Sequence, residues 1–511
     1  MILSLYRIRW QSKYKIPAAG GCNNGSVNNV GNNGNVWSSS LNTSNPNNAW
    51  NLNFNSGNCN MNNNNRYNGQ SVRGVRSICQ IKKKIEREGL SLCGLKVGDN
   101  SVLALRTPLR GESSHHMSYT ISKTRLLFDL YVAFEKAKRH KGKKSYIREF
   151  EENLHSNLLS LCDEIWERRY QAMPSTCFII NHPKKREIFA AAFRDRIVHH
   201  LYYEYTHELF ERTFIQDTYS CIKKRGTHYG IHRLEKQIRQ ETDNYNRTAY
   251  VLKLDICGYF MSIDRSLLLS FTNNTLSNMR HHRISRNKET TWDDVIDFDL
   301  IFYLTKEIIT LDPTVNCIIR SDKSEWDGLS KSKSLFTTNK GCGLPIGNLT
   351  SQLFSNIFLN VFDQYVKRTL KCKHYGRYVD DAFIVSQDKK FLESIIPQIK
   401  EFLEDALHLS LHMGKTHIYE CSHGVEFLGA FIKPYRTYIS NQCLKRMSTK
   451  VRQFNDISSL TSSPLSSVNS YLGILNHYSS FNIRKDIFIK TLPLYKFGYF
   501  NDNIAKFIEL S

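Results

Sequence analysis

The chain has 511 residues, with 70 Lys and Arg against 47 Asp and Glu, and a formal net charge of +23. That length holds two or three domains with sizeable cores. The excess of cations favours a polyanion, usually a phosphate backbone, because each neutralised phosphate releases counterions. No run of about eighteen apolar residues and no basic amphipathic helix with a lipid face is present, which excludes a membrane partner. The start MILSLYRIRW carries Arg7 and Arg9 within its apolar part and no small-residue cleavage site, so no export is expected. The 13 cysteines are odd in number and lack a paired CxxC, which predicts reduced cytoplasmic thiols and not a disulfide framework or zinc site.

In chain order, residues 1–116 read as a leader and linker. Asn dominates from Asn23 to Asn68, interleaved with Gly and Ser, a composition that predicts a disordered polar segment prone to β-aggregation. A basic run, Lys82-Lys83-Lys84, follows without any sustained period. From Met117, a plausible true start, the character is that of a mixed domain. Helical spacing marks two amphipathic helices, one through Leu126, Leu130, Ala133 and Phe134, the other through Phe150, Leu154, Leu158, Leu161 and Ile165. Residues 176–180 and 183–189 predict two short strands joined by a basic loop, and a helix covers Arg194–Phe210. A strand over 250–256 delivers Asp255 near its end. A helix over 350–370, a hairpin around Asp380, a helix over 390–407 and a strand at 427–432 follow. Residues 443–511 are mostly helical in period, giving an α+β chain and not a doubly wound sheet.

The chemistry concentrates in Tyr378-Val379-Asp380-Asp381, two carboxylates between an aromatic residue and the apolar run Ala382-Phe383-Ile384-Val385, which predicts a hairpin turn with buried arms. Extending a nucleic-acid strand needs two metals about 3.5–4 Å apart, bridged by carboxylates from separate strands. Asp255 supplies the third acid, and two adjacent antiparallel strands would bring it beside the pair. Phe260, five residues after Asp255, is a bulky ring where it could exclude a nucleotide 2′-hydroxyl. Bland alternatives stand beside each residue. Lys184-Lys185-Arg186 could be a solvated basic turn, Arg194 and Arg196 are more naturally structural or RNA-contacting than catalytic, and Lys415 could pair with an acid such as Glu420. Lys223, Lys224 and Arg225, beside Gly226, suit template phosphates.

These residues resemble the reverse transcriptases, from about Met117 to the end of the chain. Asp255 with Phe260 is similar to the family's first palm motif and Tyr378-Val379-Asp380-Asp381 to its YxDD motif. Lys415 stands where the family keeps a lysine near the leaving pyrophosphate, and Val425-Glu426-Phe427-Leu428-Gly429 resembles the strand that grips the primer. Lys184 and Arg186 match the positions that hold the incoming triphosphate, with Arg194-Asp195-Arg196-Ile197-Val198 after them. The resemblance implies a right-hand polymerase: N-terminal helices and fingers at 117–250, palm at 251–435 with returning fingers segments, and a helical thumb at 436–511. It implies Asp255, Asp380, Asp381 and Lys415 as catalytic, two Mg²⁺ ions (or Mn²⁺ in their place) held by Asp255, Ile256, Asp380 and Asp381, and an RNA template, a cDNA or primer strand and dNTPs as partners.

Gly343-Leu344-Pro345-Ile346-Gly347-Asn348-Leu349-Thr350-Ser351-Gln352 selects a branch. Related enzymes such as group II intron maturases have glutamine before the second glycine and proline after the serine, where Ile346 and Gln352 stand here. That exchange resembles the reverse transcriptases of diversity-generating retroelements. The Gly residues let backbone approach the nascent pair, while Ile346 in place of an amide removes a hydrogen-bonding group. Lys184, Arg186, Phe260, Ile346, Gly347 and Gln352 are thus the expected substrate-binding set. The leader, with Trp37-Ser38-Ser39-Ser40 and Ala49-Trp50-Asn51-Leu52-Asn53-Phe54, resembles part of the lectin-like variable proteins that such elements diversify. Asn codons are AAC or AAT, and adenine changes in them never create a stop, so residues 21–78 read as a template repeat translated in frame. The branch also implies a small basic accessory variability protein. Two alternatives remain: a maturase-type enzyme, expected to continue into a splicing or DNA-binding domain where this chain stops at Ser511, and a catalytically silent RNA-binding scaffold, which would have lost the acids. No endonuclease or RNase H motif follows Phe431.

Overall fold

The computed structural model describes Tyr119–Leu510 apart from residues 182–183, 286–288 and 456–464, together with short strands between Gly21 and Val72. Met1–His116 and Met117–Ser511 are separate compact units. In the first, Gly34–Leu41, Asn48–Phe54 and Cys59–Asn65 pair antiparallel in turn, with Ser71–Val72 parallel to Gly34–Leu41. The rest of the leader expected to be disordered, and the run Lys82-Lys83-Lys84, lie outside the described residues.

The second unit opens with a helix, Lys123–Lys138, capped where the Ser122 hydroxyl accepts the Arg125 amide. Leu126, Leu130, Ala133, Phe134 and Ala137 form its buried stripe. The expected second helix is two, Ser145–Glu152 and Leu154–Trp166, because Asn153 leaves helical geometry at φ −119°. Strands Ser175–Ile180 and Arg186–Ala190 pair antiparallel, and Cys317–Ile319 adds parallel to the first. Helix Phe193–Glu211 follows as expected. Three further helices, Thr227–Glu241, Arg265–Arg280 and Phe298–Thr310, have no counterpart in the sequence reading.

A four-stranded antiparallel sheet lies at the centre, in the order His374–Tyr378, Asp381–Ser386, Tyr250–Leu254, His417–Glu420. Val251, Phe383 and Val385 face one core with Ile231, Leu234 and Ile238 of helix Thr227–Glu241. Leu252, Leu254 and Ile384 are buried on the opposite face. A strand covered on both sides reads as a nearly continuous apolar run, which is why 382–385 shows no alternation. Tyr219 crosses the hairpin so closely that a Cβ on Gly376 would lie 2.3 Å from its hydroxyl, so only glycine fits there.

Helix Leu349–Gln364 carries the 350–370 prediction, continuing as a π-turn over Tyr365–Thr369. Helix Lys389–Leu407 matches its expected span. The single strand expected at 427–432 is a hairpin, Val425–Phe427 with Ala430–Lys433, because Leu428 and Gly429 take φ of 51° and 82° and turn the chain. Arg436–Ile439 adds a third strand to it. From Ile439 a separate core begins, in which Met447, Val451, Val468, Leu472 and Phe488 pack together. This region is helical at Asn441–Arg452 and Leu465–Leu475 and, beyond the helical expectation, ends in a two-stranded ribbon, Gly498–Phe500 with Phe507–Glu509. No helix among the described residues is long and apolar enough to cross a membrane.

Candidate active site

Asp255 stands one residue past strand Tyr250–Leu254. Ala382 pairs with Leu254 and His417 with Lys253, so continuing the two ladders puts Asp381 on one flank of Asp255 and Lys415 on the other. Lys415 Nζ donates to Asp255 Oδ2 at 2.7 Å, and Lys253 Nζ lies 3.7 Å from Asp381 Oδ1. Lys415 therefore pairs with Asp255 and not with Glu420, whose carboxylate accepts from Ser422. The register, and not proximity in sequence, decides that pairing.

Tyr378 and Asp381 close a hairpin whose two central residues are Val379 and Asp380. Val379 has φ of 56°, a left-handed conformation in the turn position where glycine is customary. For a β-branched residue this stores strain of about 1–3 kcal/mol. Arg377, wholly buried, donates from Nη1 to the Val379 carbonyl at 2.9 Å. Its Nε and Nη2 fork onto Asp363 at 2.7 and 2.6 Å, and Asp363 is itself wholly buried on helix Leu349–Gln364.

The acids share one electrostatic field. Burial pushes the Asp381 carboxyl up to about 6, with Asp380 and Asp255 adding to the rise and Lys253 opposing it. Burial, and then the charge of Asp255, also raise Asp380, while Lys415 and Arg186 pull it down. The hydrogen bond to Asp255 raises Lys415 above the usual lysine range, which keeps it protonated. Among the described residues no three His, Cys, Asp or Glu side chains stand at metal-ligating spacing. The donor set nevertheless fits a hard divalent cation, because three carboxylates are all-oxygen ligands and a bound cation would relieve the repulsion that raises Asp380 and Asp381. The Ile256 side chain is buried, so only its carbonyl could contribute. The neighbouring bonds, Cys257 N to Ser410 O and His412 N to Asp255 O, leave that carbonyl out of the ladder.

Arg186 is exposed at the start of strand Arg186–Ala190, within reach of the Asp380 charge. Lys184 is exposed in the preceding loop, and Lys185 donates to the Asp327 carbonyl at 2.8 Å. Phe260 and Ile346 pack against one apolar cluster, Cys177, Phe189, Met261 and Leu335, together with Trp326. The loop carrying Ile346 is tied on both sides: the Phe189 amide donates to the Ile346 carbonyl at 2.9 Å and the Leu344 amide to the Phe260 carbonyl at 2.8 Å. Gly347, at φ of 129°, approaches the same strand so closely that a Cβ would lie 3.0 Å from Ile188 Cγ2. Gln352 is exposed in the first turn of helix Leu349–Gln364 and accepts the Cys221 thiol at 3.1 Å, beside the loop of Lys223, Lys224 and Arg225. Arg194 pairs with Glu164, and Arg196 Nε donates to the Ala191 carbonyl at 2.8 Å, both structural contacts.

Sequence reasoning missed Glu187. This buried carboxylate accepts Trp326 Nε1 at 2.6 Å, Ser334 Oγ at 2.8 Å and the Leu335 amide at 2.6 Å. It staples residues 326–335 onto strand Arg186–Ala190 and so closes the apolar wall behind Phe260 and Ile346. The signal available was an acid at an inward position of an alternating strand, which demands partners. Glu187→Ala leaves three donors unmet and is expected to lower stability by about 2–4 kcal/mol, read by urea denaturation.

Residues 184–432 match the family model described as reverse transcriptase (RNA-dependent DNA polymerase). Protein YkfC of Escherichia coli (strain K12) is 26% identical over 304 residues, which cover 53% of this chain and 69% of that protein. Among solved structures, telomerase from Candida albicans in complex with a TWJ fragment of telomeric RNA is similar at 10% identity and a TM-score of 0.37, over 65% of this chain and 61% of that one. Apo telomerase from Candida tropicalis is similar at 12% identity and a TM-score of 0.37, over 63% and 61%. The chain thus spans less than two thirds of these solved chains.

Proposed function

We propose that this chain is an RNA-directed DNA polymerase, a reading supported by the match of residues 184–432 to the reverse transcriptase family model, and that it copies a template-repeat RNA into cDNA and misreads template adenines, the cDNA then replacing the variable region of a nearby gene. The observation that carries the polymerase site is the register that sets Asp255 between Asp381 and Lys415. In a right-hand assignment the fingers lie in 117–250, the palm in 251–435 and the thumb in 436–511. Lys184 and Arg186 hold the incoming triphosphate, as two exposed cations, the second within reach of the Asp380 charge, can. Phe260 stands against the sugar and excludes a 2′-hydroxyl. Lys415, kept protonated by Asp255, delivers a proton to the leaving pyrophosphate. Asp255, Asp380, Asp381 and the Ile256 carbonyl would hold two Mg²⁺ ions, or Mn²⁺, which supply Lewis-acid activation of the primer hydroxyl and neutralise the triphosphate.

Adenine mutagenesis is supported by Ile346, which joins an apolar cluster where an amide would present hydrogen-bonding groups, and by the Asn-rich leader. A small basic accessory variability protein and a cytoplasmic site of action complete the reading. The test is to extend a primer on an RNA template and sequence the product. Errors concentrated opposite adenine are expected, and Ile346→Gln should lower them by about 3- to 10-fold, the worth of one hydrogen bond. Errors spread evenly over the four template bases would overturn the retroelement assignment and leave the polymerase intact.

A further inference from the structure

The turn that presents Asp380 and Asp381 is held in a conformation its own sequence disfavours, and the structure contains the brace. Val379 sits at φ of 56°, and among the described residues Arg377 is the side chain that bonds its carbonyl. Arg377 is fixed on all sides. Its guanidinium forks onto Asp363, its amide donates to the Asp217 carbonyl at 2.9 Å, and its own carbonyl accepts the Tyr219 amide at 3.0 Å. Asp363 is fixed in turn, accepting the Tyr375 hydroxyl at 2.6 Å and the Thr218 hydroxyl at 3.2 Å. Both charged groups are completely buried, so neither moves without breaking a network that water cannot replace.

We propose that Arg377 and Asp363 are positioning residues for polymerisation: the pair holds the Val379 carbonyl, and through it the left-handed turn that aims Asp380 and Asp381. Without the brace Val379 relaxes toward negative φ and the acids swing with it. This rests on the reading that Asp380 and Asp381 are the catalytic acids. The helix bearing Asp363 begins at the Gly347 loop, so one rigid element connects the acid turn to the loop at the Phe260–Ile346 wall.

The experiment replaces the buried pair with apolar residues of similar size, Arg377→Met with Asp363→Leu, an exchange that buried ion pairs often tolerate without loss of folding. Primer extension by this double variant is expected to show kcat lowered about 30- to 100-fold and KM for dNTP changed less than about 3-fold, the pattern of misplaced catalytic groups. Adding Val379→Gly, which permits positive φ without a brace, should recover at least about tenfold in kcat. Amide exchange should quicken at residues 379–381 in the double variant and slow again in the triple, independently of activity. A folded double variant with unchanged kcat, or a triple variant with no recovery, overturns the proposal. Should the double variant fail to fold, Arg377→Lys serves: it keeps a cation against Asp363, loses the fork and the Val379 contact, and must show the same loss and the same rescue. Activity surviving Asp380→Asn with Asp381→Asn would instead sink the assignment of the acids themselves.

Discussion

Asp381→Asn is expected to abolish primer extension, by at least about 10³-fold, while making the metal-free protein more stable at pH 8. The loss follows from removing a charge in the set that would bind the metals, worth about 4 kcal/mol or more of transition-state stabilisation. The gain follows from the same charge being unfavourable in the fold. The Asp381 carboxyl is raised from 3.8 to about 6, so the folded protein binds this proton more tightly than the unfolded chain. Its stabilising contribution is fully present below the unfolded value near 4 and is lost as pH rises through about 6. Above that pH, ionised Asp381 costs about 1–3 kcal/mol, with the upper figure reduced because the side chain is partly solvated. Urea titrations in chelator at pH 8 and pH 4.5 check this: the variant should exceed wild type at pH 8, and the gap should close at pH 4.5. Wild-type extension should fall on acidification, because a proton on Asp381 competes with the metal, opposite in sign to the stability term, and the fall should move to lower pH as Mg²⁺ is raised.

Asp363→Ala is expected to be the most damaging single change to the fold, at about 3–5 kcal/mol. It strands the wholly buried Arg377 guanidinium and removes the acceptor for the Tyr375 and Thr218 hydroxyls. Domains are usually stable by only about 5–15 kcal/mol. Such a loss should appear as a large drop in denaturation midpoint and in soluble yield. Loss of activity with an unchanged midpoint would show instead that the pair contributes little to folding.

What could be read from residues alone follows the range of the interactions. That Asp255 comes beside Asp380 and Asp381 was legible because strand pattern and a hairpin turn are local signals, and antiparallel pairing does the rest. The partner of Lys415 was not, since choosing Asp255 over Glu420 requires knowing that His417 pairs with Lys253. The Val425–Lys433 hairpin was read as one strand because Leu428, at φ of 51°, gives no sequence sign of turning. Helix Thr227–Glu241 was missed although Ile231, Leu234 and Ile238 lie on one face, because Gly230 interrupts the pattern. Gly230 is needed where Tyr219 lies 2.8 Å from any Cβ, a tertiary constraint invisible in the segment itself. Arg377 and Asp363 lie 14 residues apart on different elements, and neither segment alone carries a signal that pairs them.

Glu187 also sets an order of events. Its three donors come 139, 147 and 148 residues later in the chain. During synthesis the strand that carries it must therefore wait, its carboxylate hydrated, until Leu335 has left the ribosome. Contacts spanning such distances form slowly and leave apolar surface exposed meanwhile. The wall behind Phe260 and Ile346 thus closes only once that stretch is made, and a chain cut short before residue 335 would leave Glu187 without the donors that let it be buried.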